Sequence, residues 1–495
     1  MLPIDPQVAS DANDPIKHVI LLLLENRSFD QMLGCFKAIY PDLEGIDKNA
    51  PPRVNADETG KKFQQLETKS QQMPVDPRHE TVHVLKQIEN GNSGFVLDFA
   101  QYYGSTATDD DRQLIMNYYP QMYLHALHRM ARDFTICDHW FSSLPGPTWP
   151  NRFFAFSGTA SGRVDMPDGI RHPDLDNLIF RQHQTTLFDR LNEADRSWKV
   201  YYYDFPSSLI LTHQREPKNL LKYRKIDYFF KDVLKPDDFP DFALIEPKYS
   251  GQDQNDDHPP HNIMKGEKLI ADVYNAIRSN EELWKSSLLV ILFDEHGGFY
   301  DHVSPPAAVP PDDHQEEYTF DRLGVRVPAV LVSPHVGKRV ESAQFDHTSL
   351  LKYLTNKWNL GSLGARTAAA NSVGVAITEA QPRTNTLPFI RISTSVVLPA
   401  RPDLEKEVDS NHHIALRAFA NYLRTELEVE AAKKLEEVAV AGTWIRSKAR
   451  LGKVFLKWGE KLTHDLEDND QQKIQLAIDT ISEYIKSVST EPGRV

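Results

Sequence analysis

Ser287-Leu-Leu-Val-Ile-Leu-Phe293 runs without a break into Asp294-Glu295-His296-Gly297-Gly298-Phe299-Tyr300-Asp301-His302. A short, wholly apolar run with a charged cluster at its end reads as a strand buried on both faces of a parallel sheet. The same pattern opens the chain. Lys17–Leu24 (KHVILLLL) leads directly into Glu25-Asn26-Arg27-Ser28-Phe29-Asp30. Working outward, Phe134–Cys137, Trp198–Tyr203 and Val327–Val332 read as further strands. Helical spacing lies between them, as in Lys268–Asn280, with Leu269, Ile270, Val273 and Ile277 on one face. Strands alternating with helices predict an α/β fold with a central, mostly parallel sheet and helices on both faces. Segments 41–78, 205–262 and 304–322, rich in Pro, Asp and Asn, read as long functional loops.

Composition narrows the function. The chain has 495 residues, with 56 Lys plus Arg against 70 Asp plus Glu, a net charge of −14. That acidity argues against nucleic acid as a partner, because phosphate contacts need concentrated Lys and Arg. Two cysteines, Cys35 and Cys137, exclude a disulfide framework but leave one bridge open. The sequence holds no apolar stretch of about 18 residues and no signal peptide. It is therefore expected to be cytoplasmic or peripheral, or a processed mature secreted form. A change in composition near residue 380 separates an expected catalytic domain, 17–385, from a C-terminal helical region, 411–490. There Leu416, Phe419, Leu423 and Leu427, and then Ile474, Ile478, Ile481 and Ile485, recur at helical spacing.

The two strand ends carry the chemistry. In open α/β sheets, ligands bind beyond the carboxyl ends of the strands. Glu25, Asn26, Asp294 and Glu295 deliver hard oxygen ligands with up to three negative charges to one edge. That donor set suits one divalent cation, Ca²⁺, Mg²⁺ or Mn²⁺. Either pair alone would read as a turn or a helix cap. Together they repel one another unless a cation neutralises them. His296 and His302 lie close enough in sequence to add a nitrogen ligand or a proton donor.

A nucleophile candidate follows the strand at 134–137, in Ser142-Ser-Leu-Pro-Gly-Pro-Thr148-Trp-Pro-Asn-Arg152. Pro145, Pro147 and Pro150 stiffen the backbone around Thr148. A hydroxyl becomes nucleophilic when a metal or base lowers its pKa. The structural alternative is a surface loop in which Thr148 caps a helix beginning near Pro150. In Phe345-Asp-His-Thr-Ser349, Asp346 or Thr348 reads as a cap of the helix that follows, and His347 as ordering the loop; a second metal pair is the alternative. No P-loop or strand-linked GxGxxG occurs, so a P-loop nucleotide hydrolase is excluded.

ENRSFDQMLG, GPTWPNRFF and FDEHGGFYDHVSPP, in that order, resemble the bacterial phospholipase C and acid phosphatase family of phosphoesterases, with the plant non-specific phospholipases C. VDPRHETVH at 75–83 and DDHPPHNIMKGE at 256–267 resemble it as well. The resemblance covers about residues 17–385 and implies an alkaline-phosphatase-like fold. It implies that Glu25, Asn26, Asp294 and Glu295 share one metal ion, which also binds the nucleophile Thr148. His79 and His258 would contact the phosphoryl group, and either would protonate the leaving alcohol. His261 matches the second histidine of the plant HPxH pattern and is expected to bind substrate. Some family members carry a further histidine pair before DDHPPH. Here Tyr201, Tyr202, Tyr203 and His213 stand in that region. Part of the phosphate pocket is thus expected to be tyrosine, with Tyr203 and His302 as substrate contacts.

The expected activity is metal-dependent hydrolysis of phospholipid phosphodiesters through a phosphothreonine. The alternatives are an acid phosphatase on the same site and a cation-dependent lipid-binding protein without turnover. Residues 444–462 (WIRSKARLGKVFLKWGEKL) place Trp444, Leu451, Phe455, Trp458 and Leu462 on one face, with lysines and arginines on others. This segment reads as a helix that either braces the catalytic domain or makes peripheral membrane contact.

Overall fold

The computed structural model describes residues 14–167, 182–250, 253–315 and 318–392, with 415, 416, 418, 419, 422 and 423. Ten strands occur among them: β1 (His18–Leu24), β2 (Val54–Ala56), β3 (Lys62–Gln64), β4 (Thr135–Cys137), β5 (Trp198–Tyr202), β6 (Tyr223–Lys225), β7 (Phe242–Glu246), β8 (Ser287–Phe293), β9 (Ala329–Val332) and β10 (Arg339–Glu341). β2 and β3 form a separate hairpin. The other eight make one sheet in the order β10-β4-β9-β8-β1-β7-β5-β6. Among these strands β9 alone runs against its neighbours, so the expected mostly parallel sheet is present.

The strands at 18–24, 135–137, 198–202, 287–293 and 329–332 fall where the apolar runs placed them. Every residue of β8 is buried, and so is every residue of β1 after His18. Successive side chains of a strand point to opposite faces, so both faces of the sheet centre are covered. The reading of 205–262 as a long loop needs correction. That segment holds β6 and β7, and β7 pairs directly with β1. Phe242–Glu246 (FALIE) is only five residues long, between Pro240-Asp241 and Pro247, too short for its apolar character to stand out. Segment 41–78 likewise contains the β2–β3 hairpin.

The helix expected at 268–280 runs over Ile263–Arg278. Asn262 caps it, accepting from the Met264 N–H, and Leu269, Ile270, Val273 and Ile277 are buried as the spacing requires. A second apolar cluster, separate from the main core, includes Phe63, Met73, Val84, Phe95, Phe99 and Phe299. It joins the hairpin and the helices Thr81–Gln87 and Phe95–Tyr103 to the chain that follows β8. Cys35 and Cys137 are free, buried thiols, so no bridge forms between them.

Of the C-terminal helical stripe, Leu416, Phe419 and Leu423 are helical and buried. The Phe419 ring meets Trp149 at 6.4 Å and Phe205 at 5.6 Å between centroids. Leu427, the segment 444–462 and the isoleucines at 474–485 lie outside the described residues. No helix among the described residues is long and apolar enough to cross a membrane.

Candidate active site

Register brings the two charged strand ends together. β1 and β8 are parallel neighbours, with Leu24 opposite Phe293. Glu25-Asn26 and Asp294-Glu295 therefore leave the sheet at one level, fully buried. The Asp294 carboxylate accepts from the Asn26 N–H at 3.2 Å and from the Glu295 N–H at 2.8 Å. The Arg27 N–H donates to the Glu295 carbonyl at 2.9 Å, and the Glu25 N–H to the Asp256 carbonyl at 2.8 Å.

Gly297 and Gly298 let the surrounding chain close in. Both have positive φ, 63° and 73°. A Cβ at Gly297 would lie 2.4 Å from the Asn26 carbonyl oxygen, and one at Gly298 would lie 2.7 Å from Pro77 Cβ. Only glycine satisfies both the left-handed backbone and this approach. The contact with Pro77 helps seat His79, which follows two residues later.

Thr148 is the first residue of the helix Thr148–Ser157. Its hydroxyl is buried and has no hydrogen-bond partner among the described residues, so it does not serve as a cap. Arg152 stands one turn along the same helix, and side chains four apart share a face. Its guanidinium donates to Glu25 Oε1 and Asp294 Oδ2, each at 2.9 Å. It also reaches Glu246 Oε2 at 3.3 Å and the Tyr249 hydroxyl at 2.6 Å. Glu246 ends β7 and accepts as well from Ser207, Ser208 and Tyr249. The sequence reading assigned no role to Arg152 or Glu246.

The histidines fall in two groups. His79 donates from Nδ1 to the Pro77 carbonyl at 2.7 Å. Its Nε2 lies 3.2 Å from Asn26 Nδ2 and 3.8 Å from Glu295 Oε1. The His258 ring lies 5.9 Å from that of His79 and 6.1 Å from that of His261, and His258 Nδ1 donates to the Pro259 carbonyl. His261 donates from Nδ1 to Asp256 at 2.6 Å. Ligating atoms of Asp76, His79 and His258 lie within 4.8 Å of one another. Asp76 was also missed from sequence, although it stands in the VDPRH stretch.

The other expected contacts lie elsewhere. His302 donates from its two ring nitrogens to Asp30 and Glu44, each at 2.8 Å, and Arg326 pairs with both Asp30 and Asp301. His302 thus lies in a charge network with Asp30, Asp301, Glu44 and Arg326. Tyr203 hydrogen-bonds Asn255, and burial pushes its phenol up to about 12. The Tyr201 hydroxyl donates to Asp232 at 2.7 Å, and His213 pairs with Asp189 at 3.0 Å. Tyr249, rather than Tyr203, is the tyrosine that reaches the carboxylate cluster. Asp346 accepts from the Thr348 N–H at 3.1 Å, while the N-cap position of the helix Thr348–Lys357 is His347. His347 donates to the Asp294 carbonyl at 2.6 Å and so buttresses the site from behind.

Burial and crowding set the electrostatics. Burial carries the Glu25 carboxyl well above the usual range; Arg152 opposes this, while Asp294, Asp256 and Glu295 reinforce it. Burial likewise pushes Asp294 up to about 6 against the pull of Arg152. Glu295 moves the other way: burial would raise it, but His79, His296 and the Gly297 N–H hold it below its ordinary value. Burial would lower His79, yet Glu295 and Asp76 carry it up to about 9. Burial raises Asp76 to about 7. The donor set fits a divalent cation of the oxygen-loving kind. Asn26 Oδ1, Glu295 Oε1 and Thr148 Oγ1 are all buried without a hydrogen-bond partner among the described residues, and one arginine serves three carboxylates.

An edge of this make-up, acidic and oxygen-lined beside a stiffly held hydroxyl, suits the hydrolysis of phosphoric esters. The chain belongs to the phosphoesterase family, whose model matches residues 16–361, and it is a phosphoric ester hydrolase. Among curated relatives, non-specific phospholipase C3 of Arabidopsis thaliana is 31% identical over 405 residues, covering 75% of each chain. Non-specific phospholipase C6 of the same plant is 33% identical over 371 residues, covering 70% of this chain and 69% of its own. Non-hemolytic phospholipase C of Pseudomonas aeruginosa is 27% identical over 391 residues, covering 70% of this chain and 54% of its own.

Proposed function

We propose that this chain is a phospholipase C that cleaves phospholipid phosphodiesters through a phosphothreonine on Thr148. The observation that carries the reading is the buried Thr148 hydroxyl. It has no hydrogen-bond partner among the described residues and stands one turn from an arginine that grips Glu25 and Asp294. The names of the plant and bacterial relatives support a phospholipid substrate.

Glu25, Asn26, Asp294, Glu295 and Thr148 would hold one cation, Ca²⁺, Mg²⁺ or Mn²⁺, which would neutralise phosphoryl charge and lower the pKa of the threonine hydroxyl. Thr148 passes its hydroxyl proton to a neutral imidazole of the group His79, His258 and His261 and attacks phosphorus in line, and the bond to the diacylglycerol oxygen breaks. That oxygen takes a proton from the same histidine group. Asn26 and the two nearer histidines face the phosphoryl oxygens and stabilise their charge. Water then displaces Thr148 and releases the phosphorylated head group. A net charge of −14 argues against nucleic acid as a partner.

The test is hydrolysis of p-nitrophenyl phosphate, p-nitrophenyl phosphocholine and mixed phospholipids, with and without chelator. Diacylglycerol and a phosphorylated head group are the expected products, lost on chelation. Turnover of the monoester alone would make the protein an acid phosphatase. Vesicle binding without product would make it a lipid-binding protein.

A further inference from the structure

The helix Thr81–Gln87 has two working faces. Its inner face serves the site: Val84 is buried in the second apolar cluster, and Gln87 accepts from His296 Nε2 at 2.8 Å and donates to the Arg78 carbonyl at 2.7 Å. Its outer face carries Val82 and Leu85, three apart and thus neighbours on the helix surface. Val82 is 56% exposed and Leu85 36%. On the adjoining helix, Tyr102 is 50% exposed; its ring lies 4.7 Å from the Arg78 guanidinium and 5.3 Å from His83. An apolar patch therefore begins three residues along the chain from His79.

We propose that the face bearing Val82, Leu85 and Tyr102 docks on the zwitterionic phospholipid layer that holds the substrate. The inference rests on the phospholipase reading above and names the surface by which that site meets its lipid. The local charge favours this occupant. Arg78 pairs with Glu80, His83 donates to Asp98 at 2.9 Å, and Lys86 lies 3.9 Å from the same Asp98. The three basic groups of the patch thus lie beside two carboxylates, Glu80 and Asp98, which leaves little net charge there. The whole chain carries −14, so an anionic layer would repel it, whereas a zwitterionic one does not. Valine and leucine side chains enter the boundary between head groups and acyl chains, and tyrosine sits at the head-group level. Docking there brings the segment that carries His79, three residues before Val82, against the layer.

The test uses the full chain and the Val82→Ser/Leu85→Ser double variant. Binding to phosphatidylcholine vesicles is measured by co-sedimentation. Activity is measured on p-nitrophenyl phosphocholine, on phosphatidylcholine vesicles and on phosphatidylcholine dispersed in detergent. The wild type should bind vesicles with less than about a twofold change between low and high salt, because apolar insertion is not screened. The variant should lose about tenfold or more of vesicle binding and vesicle activity, with unchanged turnover of the soluble ester. Undiminished vesicle binding by the variant overturns the proposal. So does wild-type binding that collapses in salt, which would assign the contact to basic residues such as those at 444–462. A wild-type dimer broken by the double substitution would make a second copy the occupant. Equal losses on soluble and vesicle substrates would also overturn it, because they report damage to the helix that carries Gln87 and not a lost lipid contact. The phospholipase reading fails separately, if neither p-nitrophenyl phosphocholine nor detergent-dispersed phosphatidylcholine is cleaved.

Discussion

The Arg152 guanidinium stands 2.9 Å from the Asp294 carboxylate, and the same side chain holds Glu25 at 2.9 Å. One fixed cation thus sits on two of the four residues that offer oxygen at the strand ends. Removing it leaves buried carboxylates facing one another. Arg152→Gln should destabilise the fold by about 3–5 kcal/mol, the usual result of breaking a buried pair on one side. Added divalent cation should recover more of the melting temperature in the variant than in the wild type. Melting curves with and without Mg²⁺ or Ca²⁺ check both parts. A variant that melts like the wild type without metal would show that Arg152 is dispensable.

Thr148→Ala should abolish turnover, and Thr148→Ser should keep part of it. Because the hydroxyl makes no hydrogen bond among the described residues, its removal should move stability by less than about 1 kcal/mol. A Thr148→Ala protein retaining more than roughly a tenth of kcat, a barrier change under about 1.4 kcal/mol, would disprove the nucleophile assignment.

Asp256 fixes the His261 ring through a 2.6 Å hydrogen bond to Nδ1. A histidine so held is suited to proton transfer. Asp256→Asn should therefore reduce kcat on a diester with an alkyl leaving group about ten- to a hundredfold more than on a p-nitrophenyl diester, whose phenolate leaves without a proton. Equal losses on the two substrates would reduce the pair to a structural role.

Burial lowers the pKa of His128 from 6.5 to about 4, with Met32 accepting from Nε2 at 2.7 Å. The unfolded chain then binds a proton that the folded chain refuses between those values. Stability is full above pH 6.5 and falls as the pH drops toward 4, by about 1.4 kcal/mol per unit and about 3 kcal/mol in all. His128→Gln should flatten that part of the curve. Urea unfolding at several pH values reads it directly, and an unchanged slope would exclude His128 as its source.

Much of the sheet was legible because β1 and β8 are buried on both faces and so read as unbroken apolar runs. β7 and β6 were hidden for the opposite reason: five and three residues between prolines and charges carry no periodicity to count. At the site, the residues that end strands could be picked out because a charge after an apolar run is conspicuous. Arg152 was in plain view in GPTWPNR, but an arginine in a helix reads as solvated; only the fold shows it fully buried among carboxylates. His302 was assigned by nearness in sequence to Asp294, and sequence could not show that Asp30 and Glu44 already engage its ring. Tyr203 stands out in the sequence because it ends a visible strand, whereas the strand that leads toward Tyr249 carries no such signal.

The pairing of β1 with β8 also has a temporal side. The Asn26 N–H and the Asp294 carboxylate that accepts from it are 268 positions apart in the chain. Synthesis runs from the N-terminus, so Glu25 and Asn26 leave the ribosome long before Asp294 and Glu295 exist. Throughout that interval the nascent chain has Thr148 and the histidines but only half of its acidic edge. A translation product that stops short of β8 cannot assemble the site, however well its earlier strands pair. The acidic edge of the hydrolase is thus completed only with the strand that closes the middle of the sheet.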